Sequence, residues 1–283
     1  MKKLFLFFIF PSIIFSCNPD GNGPTDYNIL SNLPLDTGGI QKAYVHESTN
    51  SPYGFYAYTP SSYEEGGPEF PLLVFLHGAG EKGNSANDPG KLELVLRNGP
   101  PKLIQREEWD PTYPLIVVSP QCHDGGWNAD KIHEFIGYLI DHYQLNRRRI
   151  YLTGLSMGGY GTFSYVGNYG DDSFVAACVP ICGGGSPSKA NNFLNIPTWA
   201  FHGDADGTVS VNNSIIMIEA INALNPLSKA KLSIYPDVGH NSWSMTYDGT
   251  GMGTESNDYD AFNQSIYDWM FEFQKEFVEE EIQ

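Results

Sequence analysis

Apolar residues along this chain gather in short runs, and stretches with helical spacing lie between them. The runs at 71–77 (PLLVFLH), 115–119 (LIVVS), 150–153 (IYLT), 176–181, 198–202 (TWAFH) and 231–235 have the length and content of strands buried on both faces. Two further short strands are predicted at 42–47 and 53–58, joined by a turn over 48–52. Ile132, Phe135, Ile136, Leu139, Ile140 and Tyr143 fall on one helical face, with Asn128 or Asp130 available as N-cap. Helices are also expected over 157–169, 211–223 and 259–277. Alternation of this kind predicts an α/β class with a mainly parallel sheet, helices on both sides, and ligands at the carboxyl ends of the strands.

The ends of the chain read differently. Met1-Lys2-Lys3 is a basic start, and residues 4–15 are apolar except around Pro11 and Ser12. That is the pattern of a signal peptide, too short to span a bilayer. It stops at Ser16-Cys17 before the polar run Asn18-Pro19-Asp20-Gly21. A small residue and then Cys at this place resembles a bacterial lipobox, which implies Cys17 as a lipidated first residue and export to the periplasm or cell surface, plain secretion being the alternative. Residues 17–37, rich in Gly, Pro, Asn and Asp, are expected to be a flexible tether. No repeat or second linker follows, so 38–283 is read as one catalytic domain.

A formal net charge of −17 repels phosphate backbones and anionic membranes, which excludes nucleic acid as a partner and leaves a lipid anchor as the route to a membrane. Beyond Cys17, three cysteines leave at least one unpaired. Buried free thiols are the expectation, with a Cys122–Cys182 bond as the alternative.

Chemistry concentrates just beyond the predicted strand ends. The run 150–153 leads into Gly154-Leu155-Ser156-Met157-Gly158, where a serine on a strained strand-to-helix turn needs near-absent side chains two residues away on either side. Ser156 is therefore the candidate nucleophile. The acid and the base should follow it in chain order. Asp206 stands beyond the run 198–202, favoured over Asp204 and the outlying Asp237, with Asp204 bracing the loop. His240 stands beyond 231–235 as candidate base. His46, His123, His133 and His142 read as surface or packing residues, and His77 and His202 as strand-end histidines that shape turns. The turn His77-Gly78-Ala79-Gly80 leaves backbone amides free for an oxyanion, the expected pair being those of Ala79 and Met157. Gln121, Trp127 and Trp243 are expected at the cleft rim, where aromatics suit a phenolic acyl group or a sugar ring. The glycines around 249–253 neither follow a strand nor open a helix, so they read as a mobile cleft edge rather than a nucleotide loop.

In order, LHGAGEKG, VVSPQC, RRIYLTGLSMGGYGTF, VPICGGG, FHGDAD and YPDVGHNSW resemble the α/β-hydrolase superfamily. Within it the chain is similar to secreted esterases of the dienelactone-hydrolase-like, feruloyl-esterase and polyhydroxybutyrate-depolymerase-like group, over residues 40–275. The resemblance implies a serine esterase with Ser156, Asp206 and His240 as triad, Ala79 and Met157 as oxyanion donors, no cofactor and no metal. It also implies a small ester or an acylated polysaccharide, of feruloyl or acetyl xylan type, as substrate. The cysteine nucleophile of dienelactone hydrolase is absent. Alternatives are a short-chain carboxylesterase or phospholipase, a peptidase of prolyl-oligopeptidase type, for whose gating domain the chain offers no room, and a non-catalytic binding protein on the same scaffold.

Overall fold

The structure, a computed structural model, describes residue 30 and residues 32–111 and 113–276. The leader over 1–16, Cys17 and most of the tether lie outside the described residues. One eight-stranded sheet organises the chain: β1 (Gly39–Tyr44), β2 (Gly54–Pro60), β3 (Phe70–Leu76), β4 (Ile116–Gln121), β5 (Leu145–Leu155), β6 (Ala177–Ile181), β7 (Trp199–Gly203) and β8 (Lys231–Tyr235), in the spatial order β1-β2-β4-β3-β5-β6-β7-β8. The pairs β1–β2 and β2–β4 are antiparallel, and every other pairing is parallel. Every residue of β3 and β4 is buried, which explains the apolar runs of their sequence, whereas β1 at the edge exposes Ile40, Lys42 and Ala43.

Among the described residues six α-helices complete the fold: α1 (Gly99–Gln105), α2 (Ala129–His142), α3 (Met157–Tyr169), α4 (Asn212–Asn222), α5 (Trp243–Tyr247) and α6 (Ile266–Phe271). Asn128 caps α2, its side-chain oxygen accepting from the Lys131 amide at 3.0 Å, and Ile132, Phe135, Ile136 and Leu139 are buried. The long helix expected over 259–277 is only α6. Its first third is held along β8 instead: the Asp260 amide donates to Leu232 O, and the Asp260 carboxylate accepts from the Leu232 amide. Ser265 then caps the shorter helix through the Asp268 amide. α1 has no counterpart among the predicted elements because Pro100 and Pro101 read as breakers, although proline is well placed in a helix's first turn.

The end of the 17–37 span, where a flexible tether is expected, packs on the domain. Leu30 and Leu33 are buried in the core, and Asp36 accepts a hydrogen bond from the Tyr58 hydroxyl at 2.6 Å. Two leucines set among polar residues carry no periodicity, so they give no signal. Cys122, Cys178 and Cys182 are all free and buried, with no bond between Cys122 and Cys182.

From β3 the chain goes outward to β4 and then returns past β3 to β5. The order of a parallel sheet reverses there, and a crevice opens at the carboxyl ends of the strands on either side. The turn at Gly78-Ala79 leaves β3 into this crevice, and Ser156 leaves β5 into it.

Candidate active site

Ser156 has φ 53° and ψ −115°, a conformation that costs a non-glycine residue about 1–3 kcal/mol. Its neighbours make the turn possible. A Cβ on Gly158 would collide with the Leu76 carbonyl of β3, and one on Gly154 would strike the Gly158 carbonyl. The Ser156 amide donates to Ile181 O on β6 at 2.9 Å, and Ser156 O accepts from the Tyr160 amide one turn into α3. The strained residue is thus pinned on both sides.

Ser156 Oγ lies 2.9 Å from His240 Nε2, and His240 Nδ1 lies 2.7 Å from Asp206 Oδ2. A carboxylate can only accept, so Nδ1 carries the hydrogen and the lone pair of Nε2 faces the serine hydroxyl. The Asp206 side chain is fully buried, with Oδ1 accepting from the amides of Thr208 and Val209 at 2.8 and 2.9 Å. Burial alone would raise its pKa. The hydrogen bonds from His240, Val209 and Thr208 together outweigh that and hold the carboxyl below the usual range, so it is ionised at neutral pH. Asp204 braces the loop, its carboxylate accepting from the Asp237 amide at 2.7 Å.

Met157 opens α3, and Ala79 opens a 3₁₀ turn, Ala79–Glu81. First-turn amides have no acceptor within their own helix. No side chain of the preceding residue caps either amide.

Of the three residues expected at the rim, the structure brings two to the crevice. Trp127 donates through Nε1 to His77 O at 2.9 Å and lies against Gly161 of α3. Trp243 stands edge-on to His240, ring centres 5.3 Å apart, and donates to Asn98 Oδ1 at 3.1 Å. Gln121 is a correction: it is buried, its amide donating to Glu81 O at 3.1 Å and Lys91 O at 2.5 Å. A polar residue at a strand end reads as a rim residue in sequence, but here it braces the loop beneath.

Sequence reasoning missed a second set of residues. Asn98 also donates to the buried carboxylate of Glu81, so the indole of Trp243, the amide of Asn98 and Glu81 link the His240 loop to the turn carrying Ala79. His202 does more than shape a turn, since its Nε2 lies 3.2 Å from Asp206 Oδ2. Contacts across 17 to 145 positions leave no local pattern to read. Elsewhere the histidines pack: His133 stacks on Tyr169 and Phe174, and His46 on His123.

A cavity of about 680 Å³ begins at Met157, beside the serine, and runs along α3. Trp127, Tyr160, Phe163, Phe193 and Met217 give it apolar walls, and Lys189 and Asn168 stand among its polar lining. Gly251 packs against the Tyr235 ring, so the glycine segment at 249–253 is seated on the end of β8. Among the described residues no group of three or more His, Cys, Asp or Glu gathers as metal ligands.

No protein-family model matches the chain, and no curated protein matches its sequence. Solved structures do. A thermostable esterase is 26% identical with a TM-score of 0.61, the alignment covering 85% of this chain and 64% of that one. The chain therefore spans under two thirds of that esterase's length. A feruloyl esterase module from Clostridium thermocellum, in complex with sinapinate, is 20% identical with a TM-score of 0.56, covering 85% and 89% of the two chains. The protein TT1662 from Thermus thermophilus is 12% identical with a TM-score of 0.53, covering 75% and 94%. The strand order, the turn after β5 and these likenesses together give the chain the α/β-hydrolase fold.

Proposed function

We propose that this chain is a serine esterase that works through an acyl-enzyme and removes acyl groups, of feruloyl or acetyl type, from carbohydrate. The observation that carries the reading is the hydrogen-bonded series Ser156–His240–Asp206 at the carboxyl ends of β5, β7 and β8. In the first half-reaction Ser156 Oγ bonds to the ester carbonyl carbon as its proton passes to His240 Nε2. The carbonyl oxygen becomes an oxyanion, for which the Ala79 and Met157 amides are the donors, each worth roughly 3 kcal/mol in the transition state. Collapse breaks the bond to the leaving alcohol, which takes the proton from His240. Water then repeats the sequence on the acyl-enzyme and releases the acid. Asp206 keeps the imidazole in the required tautomer and stabilises its charged form.

The apolar cavity beside Met157 and its tryptophan wall support an acyl or sugar ring in the substrate, and the likeness to a feruloyl esterase module supports the phenolic option. The lipobox-like Ser16-Cys17 supports an exported, lipid-anchored enzyme meeting its substrate outside the cytoplasm.

The test is a panel of p-nitrophenyl acetate and butyrate, methyl ferulate, acetylated xylan, a phospholipid and a proline-linked amide, each run with Ser156→Ala. That variant should fold and lose roughly 10⁶ in kcat. Substantial residual turnover would remove Ser156 as nucleophile. Ferulate or acetylxylan well ahead of the generic esters is the expected order. Preference for the phospholipid or the amide would replace the substrate assignment, and silence on the whole panel would favour a binding protein.

A further inference from the structure

His202 is the penultimate residue of β7, and its side chain is wholly buried. Its ring meets three polar atoms. Nε2 lies 3.0 Å from Val209 O and 3.2 Å from Asp206 Oδ2, while Nδ1 lies 2.8 Å from Ser214 Oγ, itself 3.1 Å from Gly183 O. Both partners of Nε2 can only accept, so the hydrogen of a neutral ring must sit on Nε2. Nδ1 is then an acceptor for the Ser214 hydroxyl, whose single hydrogen is shared with Gly183 O.

We infer, on the reading of Ser156, His240 and Asp206 as a triad, that His202 is a positioning residue for the reaction: its Nε2–H, bonded to Val209 O at 3.0 Å, also faces at 3.2 Å the carboxylate oxygen of Asp206 that holds His240. Asp206 thus accepts three hydrogen bonds, from two backbone amides on Oδ1 and from His240 on Oδ2, and has the His202 Nε2–H as a fourth polar neighbour beside Oδ2. Two effects follow. This fourth neighbour limits rotation of the carboxylate, which helps to fix the plane of His240. It also shares the negative charge of Oδ2, so the carboxylate stabilises the His240 imidazolium less strongly than an unshared one would. His202 thus tempers the base as well as aiming it.

The remaining groups around the pair do not imitate this behaviour. Burial holds His202 below the usual imidazole pKa, against the pull of Val209 O and Asp206, so the ring is neutral at neutral pH. Tyr160 from α3 and Cys182 beyond β6 also face Asp206, but burial raises both, Cys182 to about 12. Neither titrates between pH 5 and 8.

The experiment measures kcat and KM for p-nitrophenyl acetate across pH 5–9 for the native enzyme, His202→Leu and His202→Gln. Leucine removes the donor, and kcat should fall roughly tenfold to a hundredfold with KM nearly unchanged. The acid limb of kcat/KM should move to higher pH. Glutamine can return an N–H to Asp206 and should restore kcat to within a few fold with the limb unmoved. Equal losses in the two variants, or an unmoved limb in His202→Leu, would overturn the inference. Should the leucine variant fail to fold, nitrogen NMR of ¹⁵N-histidine-labelled native protein decides. His202 must be neutral and protonated on Nε2, with that signal shifting in Asp206→Asn; a proton on Nδ1 would overturn the inference too. The NMR result stands apart from turnover, so loss of the serine-esterase reading, shown by full activity in Ser156→Ala, is distinguishable from failure of this one.

Discussion

At the scale of single residues, burial sets the chemistry. His77 is completely buried at the end of β3, its Nδ1 donating to Gly78 O and its Nε2 accepting from the Cys122 amide at 2.9 Å. Burial pushes its pKa from 6.5 down to about 4. Below pH 6.5 the unfolded chain therefore binds a proton that the native ring refuses until about pH 4. Stability contributed by this neutral histidine is full above that window, falls as acid is added through it, and levels off below. The whole effect reaches about 3 kcal/mol. Denaturant melts of native protein and His77→Gln from pH 7 to pH 4 should converge by that order, and a constant gap across the range would sink the assignment. Residues of this kind show how far the site was legible. Ser156, Asp206 and His240 could be assigned because each follows an apolar run and the glycines around the serine announce a strained turn. His202 could not: a histidine before glycine at a strand end looks the same whether it bonds backbone or a carboxylate, and only the third dimension puts Asp206 against it. Gln121 erred the other way, since polarity at a strand end says nothing about which side of the loop the amide faces.

At the scale of elements, the turn from β5 into α3 shows what the sequence encodes well. The helix forms over the 157–169 span that its pattern predicts, and β8 likewise over 231–235. Where a strand is covered on both faces or a helix has one apolar stripe, burial leaves a repeat that can be read. α1 and the segment 256–260 are held by prolines in a first turn and by pairing along the edge of β8, which leave none. Glycines divide on the same physical ground. A methyl on Gly158 would sit 2.5 Å from the Leu76 carbonyl carbon, backbone that cannot yield without moving β3 from α3. Gly158→Ala should cost more than about 4 kcal/mol or abolish folding. Gly137, inside α2, would place a methyl in open space, with nothing within 4 Å of it. Gly137→Ala should instead stabilise by about 0.5–1 kcal/mol, through lower chain entropy in the unfolded state and better helix propensity. Thermal melts of the two variants test the pair; a tolerated Gly158→Ala would mean that the close approach of α3 to β3 is not required.

At the scale of the whole molecule, charge acts on everything that approaches the crevice. The chain carries −17, and an unbalanced charge of this size sets up a surface potential that reaches the site from groups that touch nothing in it. Among the described residues that line the cavity along α3, Lys189 is the one cation, and it is already engaged with Asn168 Oδ1 at 2.5 Å, so local chemistry offsets little of that field. The field should enrich cationic esters near the serine, deplete anionic ones, and speed departure of the carboxylate that each turnover releases. Salt separates this from shape. The screening length is about 30 Å at 10 mM ionic strength and about 8 Å at 150 mM. Raising ionic strength between those values should lower kcat/KM severalfold for a p-nitrophenyl ester with a quaternary ammonium group in its acyl chain. It should raise kcat/KM by a similar factor for the carboxylate-bearing analogue of the same length and leave the neutral ester unchanged. Were the anionic ester the faster one at low salt, Lys189 would outweigh the global field, and Lys189→Gln should then reverse the order. A response to salt shared by all three esters would point to a change in the enzyme itself rather than to steering.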